Sequence, residues 1–191
     1  MTIAWKLILA SGSPRRRELL ARAHIEFEVV QSGLDEIRHP DEAARDYALR
    51  MAQDKALAVS ARHPQRPVLA ADTVVECEGE ILEKPVDAND ATRMLGTLSG
   101  RTHTVVTAFA LATDAKIIAT DAVISRVTFR ALAADEIATY IATGEPFDKA
   151  GAYGIQGIGG GFISNVDGSR DNVMGLPTDD VIAALRRHGI I

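Results

Sequence analysis

The sequence is poor in the residues that would tie a chain of this size to several common chemistries. It holds one cysteine, Cys77, among 191 residues. No internal disulfide can form, and a reducing compartment, the cytoplasm, is expected. The five histidines, His24, His39, His63, His103 and His188, are scattered without metal-site spacing, and no G-x-S-x-G elbow occurs. Zinc and serine-hydrolase mechanisms therefore have no support. The P-loop pattern G-x-x-x-x-G-K-[ST] is absent as well. The only apolar run near the N-terminus is Leu7 to Ala10, flanked by Lys6 and by three arginines, which reads as neither a signal peptide nor a membrane span. With no internal repeat, low-complexity tract or long linker, residues 1–191 are expected to form a single domain, at most divided into two lobes around a cleft.

What is present is the composition of a folded globular protein: 47% hydrophobic and 25% charged residues, with 15 Gly and 7 Pro. A chain of this length buries roughly 70% of its unfolded surface, so its core needs no covalent staple. The formal net charge of −5 gives no electrostatic support for binding a nucleic-acid polymer, and an anionic ligand must be met by a local basic cluster. Apolar runs alternate with stretches of helical period, predicting an α/β fold. Strands are expected near Lys6–Ala10, Phe27–Gln31, Val68–Cys77, Thr102–Ala112, Lys116–Phe129 and Gly161–Asn165. Helices are expected near Pro14–Ala23, Asp41–Ala61, Ala88–Leu98, Ala134–Thr143 and Thr178–Arg187. Thr113-Asp114-Ala115 joins two long β-rich runs, predicting an antiparallel hairpin and a mixed, twisted sheet flanked by helices.

The first strand leads into Ser11-Gly12-Ser13-Pro14-Arg15-Arg16-Arg17. Ser13 is suited to cap a helix and Pro14 to open it. Three arginines then stand at the positive end of the helix dipole, a conflict that a bound anion would relieve. Exposed amides, Gly12 and guanidinium groups together make a phosphate cradle, against the plainer reading of a solvated, capped helix. In Val68-Leu69-Ala70-Ala71-Asp72-Thr73, one carboxylate interrupts an apolar strand. Burying it is costly, so Asp72 needs a metal, a cation or several donors, unless it simply closes a turn. A haloacid-dehalogenase nucleophile is disfavoured, since D-x-D-x-[TV] would put an aspartate where Val74 stands.

Asp35-Glu36, Lys55, Glu83-Lys84-Pro85 at the end of a short strand, and the turn around Asp148-Lys149 are individually ordinary surface charges. Collectively they could supply the one or two carboxylates and several cations that a polyphosphate with one divalent metal requires. Gly157, Gly159, Gly160 and Gly161 fail the dinucleotide fingerprint at Phe162, leaving tight turning or close backbone approach to a ligand.

Taken in order, Ser11-Gly12-Ser13-Pro14-Arg15-Arg16, Ala71-Asp72-Thr73-Val74, Glu83-Lys84-Pro85, Asp148-Lys149-Ala150-Gly151-Ala152-Tyr153-Gly154-Ile155-Gln156-Gly157 and Asn172-Val173-Met174-Gly175-Leu176-Pro177 resemble the Maf family of nucleotide pyrophosphatases across essentially the whole chain. Within that family the resemblance is to members acting on dTTP and UTP. It implies a fold similar to inosine triphosphate pyrophosphatases, with a cleft between two lobes, and a homodimer as a frequent assembly. It also implies dependence on a divalent ion, magnesium first, with manganese or cobalt as substitutes. By resemblance the general base falls on Asp72 and the phosphate contacts on Arg16, Lys55, Lys84 and Lys149, with Ser13 in the same cradle. A metal-holding carboxylate falls on Glu36, alongside Asp72. The dTTP and UTP preference falls on Arg15, Thr73 and Gln156.

The implied reaction is attack of water on the α-phosphorus of a nucleoside triphosphate, releasing the monophosphate and pyrophosphate, with Asp72 acting as base or chiefly as metal ligand. Two alternatives stand beside it. One is a non-catalytic nucleotide-binding regulator of cell division, which could dispense with Asp72. The other is a house-cleaning pyrophosphatase for modified nucleotides, which shares the mechanism.

Overall fold

The computed structural model describes residues 7–191, so Lys6, at the head of the first expected strand, lies outside the described residues. Among the described residues there are seven strands and six α-helices. The strands are β1 (Leu7–Leu9), β2 (Phe27–Val29), β3 (Val68–Cys77), β4 (Glu80–Leu82), β5 (Thr102–Thr113), β6 (Lys116–Phe129) and β7 (Ile163–Asp167). The helices are α1 (Pro14–Arg22), α2 (Ala44–Ser60), α3 (Ala88–Leu98), α4 (Ala134–Ala142), α5 (Arg170–Met174) and α6 (Thr178–Arg187). The sheet order is β2-β1-β3-β5-β6-β7, with β4 paired to β3. β1 runs parallel to β2 and β3, whereas β4 is antiparallel to β3 and β7 to β6. The sheet is therefore mixed, as the sequence pattern predicts. No helix among the described residues is long and apolar enough to cross a membrane.

The chain divides into two compact units. The first holds the chain up to Asp72, Thr107–Val123 and Gly175–Ile191, and the second holds Thr73–Val106 and Ile124–Met174. β3, β5 and β6 thus contribute a stretch to each. In the first unit, Leu7–Leu9 and Val68–Ala71 are buried at every position, which explains why these runs show no polar alternation. Along α2, Ala44, Ala48, Met51, Ala52, Ala56 and Val59 form a buried stripe at helical spacing. Lys55 stands in the same stripe.

The hairpin loop between β5 and β6 has two residues, Asp114 (φ 51) and Ala115 (φ 57), both left-handed as a type I′ turn requires. Neither is glycine. Ser60 Oγ accepts from the Ala115 amide at 3.0 Å, and Asp114 Oδ1 accepts from the Gln65 amide at 2.7 Å, which fastens the turn. Several boundaries differ from expectation for local reasons. α2 opens at Ala44 rather than Asp41, because Asp41 is left-handed (φ 59) and Glu42 is committed to Arg50. β2 stops at Val29, and β7 begins at Ile163 because Ile158–Phe162 forms a 3-10 turn. The short helix α5 follows Gly168, whose φ of 112 breaks the preceding strand, and has no counterpart in the sequence reading.

The second unit packs around Val75, Leu82, Leu95, Leu98, Phe129 and Phe162. Phe129 meets His103, Tyr153 and Phe162 edge-on, and Tyr140 meets Phe162 in the same way. His103 is 2% exposed. Its Nε2 hydrogen-bonds the Tyr153 hydroxyl at 2.7 Å, while Nδ1 is buried without a hydrogen-bond partner. Burial lowers the His103 pKa to about 4. A histidine whose folded pKa is depressed is fully compatible with the native state above its unfolded pKa, and its contribution is lost as pH falls from there towards the folded value. Between pH 7.5 and 5 the native state should lose about 2 kcal/mol through this one group. Urea unfolding at the two pH values should show that loss in the wild type and not in His103→Asn. Equal pH dependence of the two proteins would remove His103 as the cause.

Candidate active site

The site in the first unit begins with the way β1 hands the chain to α1. Ser13 caps α1 in extended conformation, its Oγ accepting from the Arg16 amide at 3.5 Å, with Pro14 in the first turn and no acidic residue there. The half-buried Arg16 turns back towards the chain. Its Nε donates to the Gly175 carbonyl at 2.7 Å and one Nη donates to Ser11 Oγ at 3.2 Å. Ser11 Oγ also accepts from the Ser13 amide at 3.2 Å, so this buried hydroxyl sets both the cap and the guanidinium. Ser11 and Gly175 belong to the motifs quoted above but carried no assigned role. The charge pattern drew attention to the arginines and away from the small residues that hold them.

Asp72 ends the fully buried part of β3 and is 7% exposed. Its Oδ1 accepts from Lys55 Nζ at 2.7 Å, and Glu36 Oε1 accepts from the same ammonium at 2.6 Å. Lys55 is itself 6% exposed. Two carboxylates thus share one buried cation. Burial pushes the Asp72 carboxyl above the usual aspartate range. The Lys55 and Arg16 charges pull it back, and the like charge of Glu36 adds to the rise. Arg16 is lowered by burial and by its neighbour Arg15, while Asp72 and Glu36 act to raise it. The repulsion from Arg15 is the smallest of these influences, and each of the two carboxylates outweighs it.

Glu36 lies in an irregular segment tied down by Arg50 of α2 and by Arg62 in the turn just after it. Arg62 donates to the carbonyls of Gln31 and Ser32 at 3.1 and 3.3 Å. Arg50 donates to the Ile37 carbonyl at 2.9 Å and grips Glu42 through Nε and Nη2, each at 2.7 Å. Glu42 in turn accepts from the His39 amide at 3.1 Å, and the Arg50 bond holds its carboxyl down to about 2. Ordinary surface charges in the sequence are here the fastenings of the loop that presents Glu36.

The other candidates lie in the second unit. Thr73 follows Asp72 in β3 and is half-buried. Lys84 is exposed, just after β4, and the Glu83 carbonyl accepts from the Gly151 amide at 3.1 Å. That bond pins the Lys84 segment to the turn bearing Lys149. Lys149 Nζ donates to the Glu145 carbonyl at 2.5 Å and to Asp148 Oδ1 at 2.6 Å. Gln156 is exposed in the glycine-rich loop. The structure thus gathers Ser13, Arg15, Arg16, Glu36, Lys55 and Asp72 in the first unit, and Thr73, Lys84, Lys149 and Gln156 in the second.

Removing one partner of a buried charge set exposes the cost of the rest. Lys55→Met should lower stability at neutral pH by about 3 kcal/mol, because Asp72 loses its cation. Adding Asp72→Asn should recover a measurable part of that loss in urea unfolding. A Lys55→Met protein as stable as the wild type would mean that the pair contributes nothing to the fold.

The Maf-like protein family matches residues 6–188 of the chain. A dTTP/UTP pyrophosphatase of Escherichia coli O157:H7 is 53% identical over 172 residues, which is 90% of this chain and 87% of that protein. A dTTP/UTP pyrophosphatase of Myxococcus xanthus is 52% identical over 184 residues, covering 96% of this chain and 93% of the relative. A crystal structure of a nucleoside-triphosphatase, a dITP/XTP pyrophosphatase from Mycobacterium abscessus, aligns with a TM-score of 0.43 at 15% identity, covering 97% of this chain and 95% of that one. A family match from end to end, with relatives identical at more than half of the aligned positions, leaves one assignment: the chain belongs to the Maf-like protein family.

Proposed function

We propose that the protein hydrolyses nucleoside triphosphates, dTTP and UTP foremost, to the nucleoside monophosphate and pyrophosphate. The observation that carries this reading is the buried Lys55 ammonium held between Asp72 and Glu36, with Arg16 near enough to act on both carboxylates. A regulator that only bound nucleotide would gain nothing from a carboxylate whose burial is costly. The relatives named dTTP/UTP pyrophosphatase favour the same substrates.

Water attacks the α-phosphorus, the bond from that phosphorus to the bridging oxygen breaks, and pyrophosphate leaves. Asp72 orients the water and takes its proton, a role suited to a carboxyl raised by burial. Lys55 and Arg16 hold the charge that develops on the phosphoryl oxygens. Lys84 and Lys149 keep their phosphate-binding roles in this reading, and Arg15, Thr73 and Gln156 their roles in base preference.

The donor set fits a divalent ion of the magnesium kind. Among the described residues no three of His, Cys, Asp and Glu gather into a metal-holding group. Magnesium commonly takes only one or two carboxylates and completes its shell with substrate phosphates and water. Asp72 and Glu36, already drawn to one cation, would hold it. When bound, it would neutralise charge on the polyphosphate. The single buried Cys77 suits a reducing cytoplasm.

Incubation with dTTP or UTP, followed by chromatography of the products, should show the monophosphate and pyrophosphate with magnesium present and neither with excess chelator. Diphosphate and orthophosphate as products would overturn the reading. Asp72→Asn keeps the side-chain volume but removes the basicity, and should lower kcat by about two to four orders of magnitude with the fold retained by circular dichroism. A folded variant within a few fold of the wild type would remove Asp72 from the chemistry.

A further inference from the structure

We propose that Glu145 is a positioning residue for base selection: its carboxylate is the template on which the loop carrying Gln156 is wound. The proposal rests on the reading of the chain as a dTTP and UTP pyrophosphatase with Gln156 facing the base. Glu145 follows Gly144, which is left-handed (φ 77) and ends α4, and its amide donates to Thr143 Oγ1 at 3.2 Å. From there the side chain reaches into the loop. Oε2 accepts from the Ile158 amide at 3.0 Å, and Oε1 accepts from the Gly159 amide at 3.2 Å and from the Tyr140 hydroxyl at 3.0 Å. Burial alone would raise this carboxyl, but the two amides, Tyr140 and Lys149 together hold it below the ordinary glutamate range.

The glycines record how closely the loop follows this template. A Cβ at Gly157 would lie within 2.5 Å of both carboxylate oxygens of Glu145, and one at Gly154 would lie 2.7 Å from Lys149 Cε. At Gly159 the obstacle would be the Tyr140 hydroxyl at 2.8 Å. None of these three glycines has a positive φ, so what they supply is closeness rather than a special backbone conformation. Gln156 sits between Gly154 and Gly157, exposed, with the preceding Ile155 buried. The chain on its two sides therefore runs close against Lys149 and Glu145, and Glu145 also bonds the amides that follow. The same turn carries a second link, since Lys149 Nζ donates to the Glu145 carbonyl. The residue assigned to the base and the lysine assigned to phosphate are thus referred to one turn of chain.

A base is discriminated by hydrogen bonds only as sharply as the discriminating group is held in place. Glu145→Gln keeps the shape of the side chain but replaces one acceptor oxygen with an amide NH2, a donor that faces N–H or O–H donors. The loop should lose its fixed placement. In steady-state kinetics with UTP and CTP, the wild type should prefer UTP, and Glu145→Gln should lower the UTP-to-CTP ratio of kcat/KM about tenfold, the size expected for one hydrogen bond. The loss should lie mainly in the KM for UTP, with kcat changed much less. Tyr140→Phe, which removes one donor to Oε1 and leaves the ring in the core, should lower the ratio by a smaller factor. Glu145→Gln combined with Gln156→Ala should discriminate no worse than Gln156→Ala alone, because both act through one contact. An unchanged ratio in Glu145→Gln, with only a lower melting temperature, would overturn the proposal and leave a purely structural glutamate. If Glu145→Gln fails to fold, Tyr140→Phe decides by the same ratio. Failure of the wild type itself to prefer UTP would instead overturn the underlying reading of the substrate.

Discussion

The first unit is organised around a lysine where a hydrophobic residue would pack. Lys55 occupies the buried stripe of α2, and an ammonium there can persist only if anions reach it. Asp72 comes from the end of β3 and Glu36 from an irregular segment, so one cation joins a helix, a strand and a loop that the chain brings in separately. This arrangement is poor evidence of stability, since an apolar side chain in place of the ion set could pack as well. On the proposed reading its value is chemical. It keeps two carboxylates close together, out of bulk water, beside an arginine.

Such a cluster works only if its least regular member stays in place. Glu36 has no strand or helix around it, and its side chain is 40% exposed. The fixing comes from Arg50 in α2, which bonds the Ile37 carbonyl, and from Arg62 in the turn just after that helix, which bonds the Gln31 and Ser32 carbonyls. Each surface ion pair taken alone is weak. Here the guanidinium groups mainly satisfy backbone carbonyls that have no strand partner, and the partner of Arg50, Glu42, also holds the His39 amide.

Much of this was legible in the sequence because the helices and long strands announce themselves by period. α3 and α6 lie where the pattern puts them, and Asp87 caps α3 by accepting from the Asp90 amide at 2.8 Å. The cost of burying Asp72 pointed to a cation, and a cation is there. Lys55 could have been singled out by the same logic, as a charge at helical spacing between Met51, Ala52, Ala56 and Val59. The start of α2 and the existence of α5 were not legible. One depends on Glu42 being claimed by Arg50, and the other on a five-residue segment too short to show a period. The glycine cluster was half legible. One of its two readings was close approach to a ligand, whereas the group that Gly157 approaches is a glutamate twelve residues earlier in the chain, which no local pattern indicates.

The two units hold their functional side chains by opposite means. In the first, Asp72 is held by charge, and its ionisation is set by burial, which raises it, together with Lys55 and Arg16, which lower it, and Glu36, which raises it again. Changing one member alters both the geometry and the proton affinity of the others. In the second, the loop bearing Gln156 is held by close packing and by amides on a carboxylate to which no part in the chemistry is assigned. On the proposed reading, neutralising Glu145 acts on the backbone of the loop that carries Gln156. On that reading, substitutions at Tyr140, Glu145 and the glycines bear on which base is accepted, and substitutions in the Lys55 cluster bear on the reaction itself.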